Sequence, residues 1–203
     1  IWASVQMGTA ANCAYNESQS LRLRGNLDIA VFQAAVQRLI QRHEALRMTV
    51  SPDGNTLCVT DLLEIEIPVL DLSGLLPSEQ DSQVASRRQQ AVEVPFDLEH
   101  GPLFRVEILN LQYQEHLVII TAHHIICDGW SWAVLLPDLG QFYSASKQGE
   151  TIDLDDPEPF SAYALMLEEQ AQSNEVAGAE AYWLKQFAGP VPVVDIPIDR
   201  PRP

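Results

Sequence analysis

Between residues 28 and 43 the chain reads DIAVFQAAVQRLIQRH, with Ile29, Phe32, Val36, Leu39 and Ile40 spaced three, four or one apart and Gln33, Gln37, Arg38 and Gln41 between them. Apolar positions at that spacing share one side of a 3.6-residue repeat, so the stretch predicts an amphipathic helix with Asp28 near its start. A second, more polar helix is expected over residues 77–92, lying on the surface, with Ser78 and Glu79 in its first turn. Around these helices stand strand-like runs: SLRLRG, LRMTVS, IEIPVL, LFRVEILNL and HLVIITAH. In the fourth, Phe104, Val106 and Ile108 alternate with Arg105, Glu107 and Asn110, which predicts one wet face. The LVII of the fifth is apolar without interruption, which predicts burial on both faces.

Beyond Gly129 the period becomes helical, with Trp130, Val134, Leu135, Leu139 and Phe142 on one face and Ser131 as the expected N-cap. Pro137 interrupts that pattern. It removes a backbone donor and is expected to kink the helix or shift its start, at about 3 kcal/mol in a regular helix. After the acidic loop TIDLDDPEP, two further helical patterns cover residues 160–172 and 175–187. No internal repeat or low-complexity segment is visible, and the expected architecture is a mixed sheet with helices packed on it.

Composition narrows the partners. With 203 residues, 46% of them hydrophobic, the chain can bury a sizeable core as one large domain or two small ones. Its longest apolar run is far short of the roughly 20 residues a membrane span needs, and no signal-like segment opens it, so a soluble, cytoplasmic protein is expected. Cys13, Cys58 and Cys127 are widely spaced and odd in number, as expected of reduced thiols. A net charge of -16, from 12 Lys and Arg against 28 Asp and Glu, argues against a nucleic-acid partner. The opening IWASV lacks an initiator Met and the ending IDRPRP reads as a linker, so the chain is expected to be a piece of a longer polypeptide.

The densest chemistry lies in TAHHIICDGWSW, residues 121–132. Successive strand residues point to opposite faces, so His123 and His124 are expected to diverge, one toward a cavity and one into the fold. Asp128 and Gly129 follow in a tight connection, where an Asp bonds backbone amides and a Gly takes positive φ or lets a ligand come close. Residue types alone leave two bland alternatives open. A metal could use two His and an Asp, although adjacent histidines seldom chelate one ion. A satisfied core pair beside an ordinary Asp-Gly turn is the stronger rival.

HHIICDGWS resembles the HHxxxDG motif of the condensation domains of nonribosomal peptide synthetases, members of the chloramphenicol-acetyltransferase-like superfamily. RHEALR (42–47) is similar to their RHExLR motif, PFDLEHGPLFRVEIL (95–109) to the segment before the motif strand, and YWLKQFAG with IDRPRP to the end of their N-terminal lobe. The intact histidine pair excludes heterocyclisation domains, which carry aspartates there. Epimerisation domains share the motif and often have Ser-Trp after it, as at Ser131 and Trp132, whereas Gly129-Trp130-Ser131, RHEALR and DRPRP resemble condensation. The first family motif is represented at most by IW, and the later motifs of a C-terminal lobe are absent. The resemblance therefore implies an α/β (α+β sandwich), chloramphenicol-acetyltransferase-like N-terminal lobe over residues 1–203, with the linker to its partner lobe beginning near 199–203.

The resemblance also implies the reaction. An aminoacyl amine on a downstream carrier protein attacks an acyl or peptidyl thioester on an upstream one; both substrates ride on phosphopantetheine arms, and no cofactor or metal is bound. The implied catalytic residues are His124, as base or positioning group, with Asp128 and Gly129; His123, Arg42, Arg47 and Trp130 support them. An ionised, partly buried Asp128 wants a cation, and the family analogy supports an Arg-Asp pair, with Arg47 ranked slightly above Arg42. The arginines' alternative is a solvated helix end. Expected partners are the two carrier proteins and the C-terminal lobe, with Arg87-Arg88 as a candidate carrier-facing patch and neither nucleic acid nor membrane involved. Epimerisation or another acyl transfer by the same fold, and a non-catalytic docking lobe, are the competing functions.

Overall fold

The computed structural model describes residues 1–152, 154–171, 173–190, 197 and 200, and the chain divides into two units, Ile1–Pro159 and Phe160–Pro203. The first unit runs α1 (Trp2–Val5), α2 (Thr9–Cys13), β1 (Asn16–Arg24), α3 (Ile29–Arg42), a 3-10 turn (Glu44–Arg47), β2 (Met48–Val50), β3 (Leu57–Val59), β4 (Val69–Asp71), α4 (Pro77–Glu93), β5 (Phe104–Gln112), β6 (Glu115–His123) and α5 (Gly129–Gln148). One mixed sheet has the order β1-β6-β5-β4, with β6 antiparallel to both neighbours and β4 parallel to β5. β2 and β3 form a separate antiparallel pair. The expected mixed sheet with helices packed on it is the fold observed.

β6 is an interior strand, and every residue from His116 to His123 is buried. Val118, Ile120 and Ala122 enter the main core with α3 and α5, while Leu117 and Ile119 join Leu72, Leu109 and Leu111 beside Val84 and Ala91 of α4. Two apolar layers explain an apolar run without alternation. On β5, Phe104, Val106 and Ile108 enter the main core as expected. The face expected to be wet is instead covered: Arg105 lies 3.8 Å over the Phe96 ring and donates to the Val94 carbonyl at 2.7 Å, and Glu107 pairs with Arg87 at 3.0 Å.

Asp28 caps α3 by accepting the Val31 N–H at 3.2 Å, and Phe32, Ala35, Val36, Leu39 and Ile40 are buried. Each large member of that face contributes about 1.5–3 kcal/mol on leaving water. The polar face is not simply solvated. Gln33, Gln37 and Gln41 donate to the carbonyls of Ile67, Ile65 and Asp61 at 2.9, 2.8 and 2.9 Å. This is why IEIPVL is not a strand over its length: α3 side chains take its first carbonyls, and only Val69–Asp71 joins the sheet. LRMTVS likewise yields a 3-10 turn before a three-residue strand.

The surface helix α4 opens with Pro77, and Glu79 accepts the Leu76 N–H at 3.2 Å. α5 starts at Gly129 and continues through Pro137 to Gln148, so the proline does not shift its start. Its buried seam is Trp132, Leu135, Leu139, Phe142 and Ala145, whereas Trp130 and Val134 are 83% and 52% exposed. The seam expected from Trp130 and Val134 is thus corrected: spacings of three, four and three starting at Trp132 face α3, and the Trp130–Val134 pair lies off that line.

The second unit contains α6 (Phe160–Ala171) and α7 (Asn174–Gln186), close to the expected helices. Ser173 caps α7 through the Val176 N–H at 3.3 Å, and Trp183 stacks on Phe187 with ring centroids 5.9 Å apart. The IDRPRP ending and the expected linker lie outside the described residues except for Arg200. Among the described residues no helix is long and apolar enough to cross a membrane.

Candidate active site

The β1–β6 register sets Asn16 opposite His123 and Glu17 opposite Ala122, bringing the start of β1 beside the end of β6. There the two histidines diverge, as strand geometry requires. His123 is fully buried between Tyr15 and Phe96, with ring centroids 5.9 and 6.1 Å away. Its Nδ1 accepts the Ile125 N–H at 3.2 Å, which assigns the ring proton to Nε2, and among the described residues that nitrogen meets no partner. Burial, then the neighbouring His124, pushes its pKa down from 6.5 to about 4, so His123 is neutral and holds the strand end in place.

His124 leaves the core, and 39% of its side chain is exposed. Its backbone N–H donates to the Tyr15 carbonyl at 2.8 Å. Its Nδ1 lies 2.7 Å from the Cys127 carbonyl oxygen and 2.8 Å from Glu17 Oε1, while Glu17 Oε2 accepts the Trp132 Nε1–H at 3.0 Å. Nδ1 is the engaged nitrogen, and among the described residues Nε2 has no hydrogen-bond partner. The adjacent Cys127 is buried, and burial followed by Glu17 pushes its thiol up to about 12. A thiol held protonated is no nucleophile.

Asp128 and Gly129 open α5. Asp128, not Ser131, is the N-cap: it accepts the Ser131 N–H at 2.9 Å and the Ser131 hydroxyl at 2.7 Å, and its own N–H donates to Ser131 Oγ at 3.0 Å. Those bonds, the backbone one first, hold its carboxyl below the ordinary aspartate value. Gly129 does not have a positive φ, and a Cβ there would meet nothing within 4 Å. The fold therefore imposes no glycine at 129, and the space beside it is open.

The expected Arg-Asp128 pair is not formed. Arg42 pairs with Asp138 at 3.0 Å and donates to the Asp155 carbonyl at 2.5 Å; His43 binds the same Asp138 oxygen at 2.8 Å. Arg47 donates to the Thr60 carbonyl and, at 3.3 Å, to that of Asp61. The reason is local: Asp128 is exposed, and Ser131 already supplies its donors, so it has no buried charge to neutralise. Trp130 projects outward instead of starting an apolar face, and Arg87 is engaged by Glu107, which leaves exposed Arg88 as the available member of that basic pair.

Glu17 and Trp132 are the site residues that pattern reading missed. Glu17 lies in NESQ, which has no apolar alternation to mark it as strand, and it is 115 positions from Trp132. Only the β1–β6 register brings them together. Among the described residues no group of three or more His, Cys, Asp or Glu could hold a metal ion.

Comparison with known proteins is consistent along the chain. The sequence model of the Condensation domain family matches residues 1–203. Tyrocidine synthase 3 of Brevibacillus parabrevis is 37% identical over 191 residues, covering 94% of this chain and 3% of that protein. Bacitracin synthase 1 of Bacillus licheniformis is 33% identical over 201 residues, covering 96% of this chain and 4% of its own length. The crystal structure of the starter condensation domain of rhizomide synthetase superposes with a TM-score of 0.81 at 26% identity, covering 96% of this chain and 48% of that one. The chain thus spans a few per cent of these synthases and about half of the solved domain.

Proposed function

The chain belongs to the condensation domain family, and on that premise we propose that it is the N-terminal lobe of a domain that forms peptide bonds in cytoplasmic nonribosomal peptide synthesis. The donor is an acyl or peptidyl thioester on an upstream carrier protein, and the acceptor is an aminoacyl amine on a downstream one. Each is tethered by a phosphopantetheine arm, and the domain itself binds no cofactor. The amine nitrogen attacks the thioester carbonyl, the C–N bond forms, the C–S bond breaks, and the proton lost by the amine is carried to the departing thiol.

The observation that carries the reading is His124: part-exposed just past the end of buried strand β6, with Nδ1 engaged and, among the described residues, Nε2 left to accept a hydrogen bond or proton from the amine. An imidazole is neutral enough near neutral pH for that task. Buried His123 anchors the strand end, Asp128 fixes the start of α5, and open space at Gly129 admits the tethered substrates. The C-terminal lobe of the same domain supplies the facing wall.

The test is the complete domain with both loaded carrier proteins, wild type against His124→Ala. Dipeptide formation is expected to fall by about 10²-fold or more with the circular dichroism unchanged. Inversion of the donor without a new amide would assign the lobe to epimerisation, and carrier binding without turnover would make it a docking module. Wild-type dipeptide yield from His124→Ala would remove His124 from the mechanism.

A further inference from the structure

We propose that Glu17 is the positioning residue of His124: with the Nδ1 proton directed to the Cys127 carbonyl, its carboxylate holds the imidazole so that the Nε2 lone pair faces the acceptor amine, and it stabilises the imidazolium formed when the amine's proton is taken. The inference rests on the reading of His124 as the group that meets the amine.

The argument is one of donors and acceptors. An indole N–H only donates, so Trp132 Nε1–H, 3.0 Å away, claims Glu17 Oε2 and fixes the rotation of the carboxylate. Oε1 is thereby turned to His124 Nδ1 at 2.8 Å, and the Cys127 carbonyl stands 2.7 Å from the same nitrogen. Neither neighbour can donate while Glu17 is ionised. Nδ1 must carry the hydrogen, and in the neutral ring Nε2 is then an acceptor.

The two acceptors are not equivalent. The Cys127 carbonyl selects the tautomer but carries no net charge, whereas Glu17 also neutralises the imidazolium. Other ionisable groups near the ring are Asp128, which is engaged by Ser131, His123, which burial keeps neutral, and the Cys127 thiol, which burial keeps protonated. Trp132 is buried in the seam of α5 and Glu17 belongs to β1, so the carboxylate is held from both sides by ordered elements.

The experiment uses the complete domain with histidine-selective ¹⁵N labelling, in which long-range ¹H–¹⁵N correlations report the His124 tautomer independently of turnover. Wild type is expected to show Nδ1–H. Glu17→Gln replaces one of two acceptor oxygens with a donating NH₂. With Trp132 holding the remaining oxygen, the amide opposes Nδ1–H, part of the population moves to Nε2–H, and kcat falls at least about tenfold with KM changed far less. Glu17→Ala leaves the Cys127 carbonyl to keep Nδ1–H but removes the charge. Its tautomer is expected to stay as in wild type while kcat falls with KM changed far less, because the imidazolium has lost its counter-charge. Nε2–H in the wild type, or a folded Glu17→Ala with wild-type kcat, overturns the proposal. If Glu17→Gln does not fold, the wild-type tautomer and Glu17→Ala still decide it. Full activity of His124→Ala would sink the functional reading itself, an outcome that the tautomer measurement keeps distinct from failure of the Glu17 assignment.

Discussion

Asp128→Ala separates two accounts of the motif aspartate. Were Asp128 the partner of a buried arginine, its removal would strand a charge and cost on the order of 3 kcal/mol. The structure gives a smaller figure. Asp128 is exposed, and what the variant loses is the N-cap of α5, the bonds from the Ser131 N–H and hydroxyl at 2.9 and 2.7 Å. Loss of such a cap costs about 1 kcal/mol, within a range of about 0.5–2, or a fall in Tm of roughly 2–4 °C for a unit of this size. The pH dependence has a definite sign. Ser131 holds the folded carboxyl below its ordinary value, so the carboxylate adds stability above the unfolded pKa near 3.9 and loses it as pH falls through the folded value. The gap between variant and wild type should therefore be full at pH 7 and close in acid. Denaturant titrations of wild type, Asp128→Ala, Arg47→Ala and the double variant measure both quantities. The two substitutions are expected to add to within about 0.5 kcal/mol, because Arg47 is bound to the Thr60 and Asp61 carbonyls and not to Asp128. A loss near 3 kcal/mol with strong coupling to Arg47 would refute the capping account.

His123→Ala should destabilise the fold by about 2–4 kcal/mol, since it empties a fully buried position between two aromatic rings. Because burial holds the folded pKa at about 4 against 6.5, the contribution of His123 is complete above pH 6.5 and declines as pH falls toward 4. The stability difference between wild type and variant should slope through that window, and a flat difference would contradict a buried neutral ring. The two nearby tryptophans should behave oppositely in thermal melts: Trp132→Ala, at 6% exposure, is expected to cost about 3–5 kcal/mol, and Trp130→Ala, at 83%, less than about 0.5. Equal losses would show that the seam of α5 is wrongly placed.

Local periodicity determined much of this protein. The 3.6-residue spacing from Ile29 to Ile40 specified α3, the unbroken LVII specified an interior strand, and strand alternation required His123 and His124 to face opposite ways. Each follows from the chain's own geometry, which acts over a few residues. The choice of partner does not. IEIPVL has the composition of a strand, yet glutamines on α3 take its carbonyls; Trp130 and Trp132 are equally apolar, yet only Trp132 meets the core. Asp128 could cap a helix or pair with an arginine, and the distance to Ser131 decided for the cap. Glu17 is the clearest case, because nothing in NESQ marks a carboxylate as the neighbour of a histidine far along the chain. A hydrogen bond or ion pair depends on separations of about 3 Å between atoms brought together by register, and register between distant strands is set by the whole core's burial, which no short stretch of sequence contains.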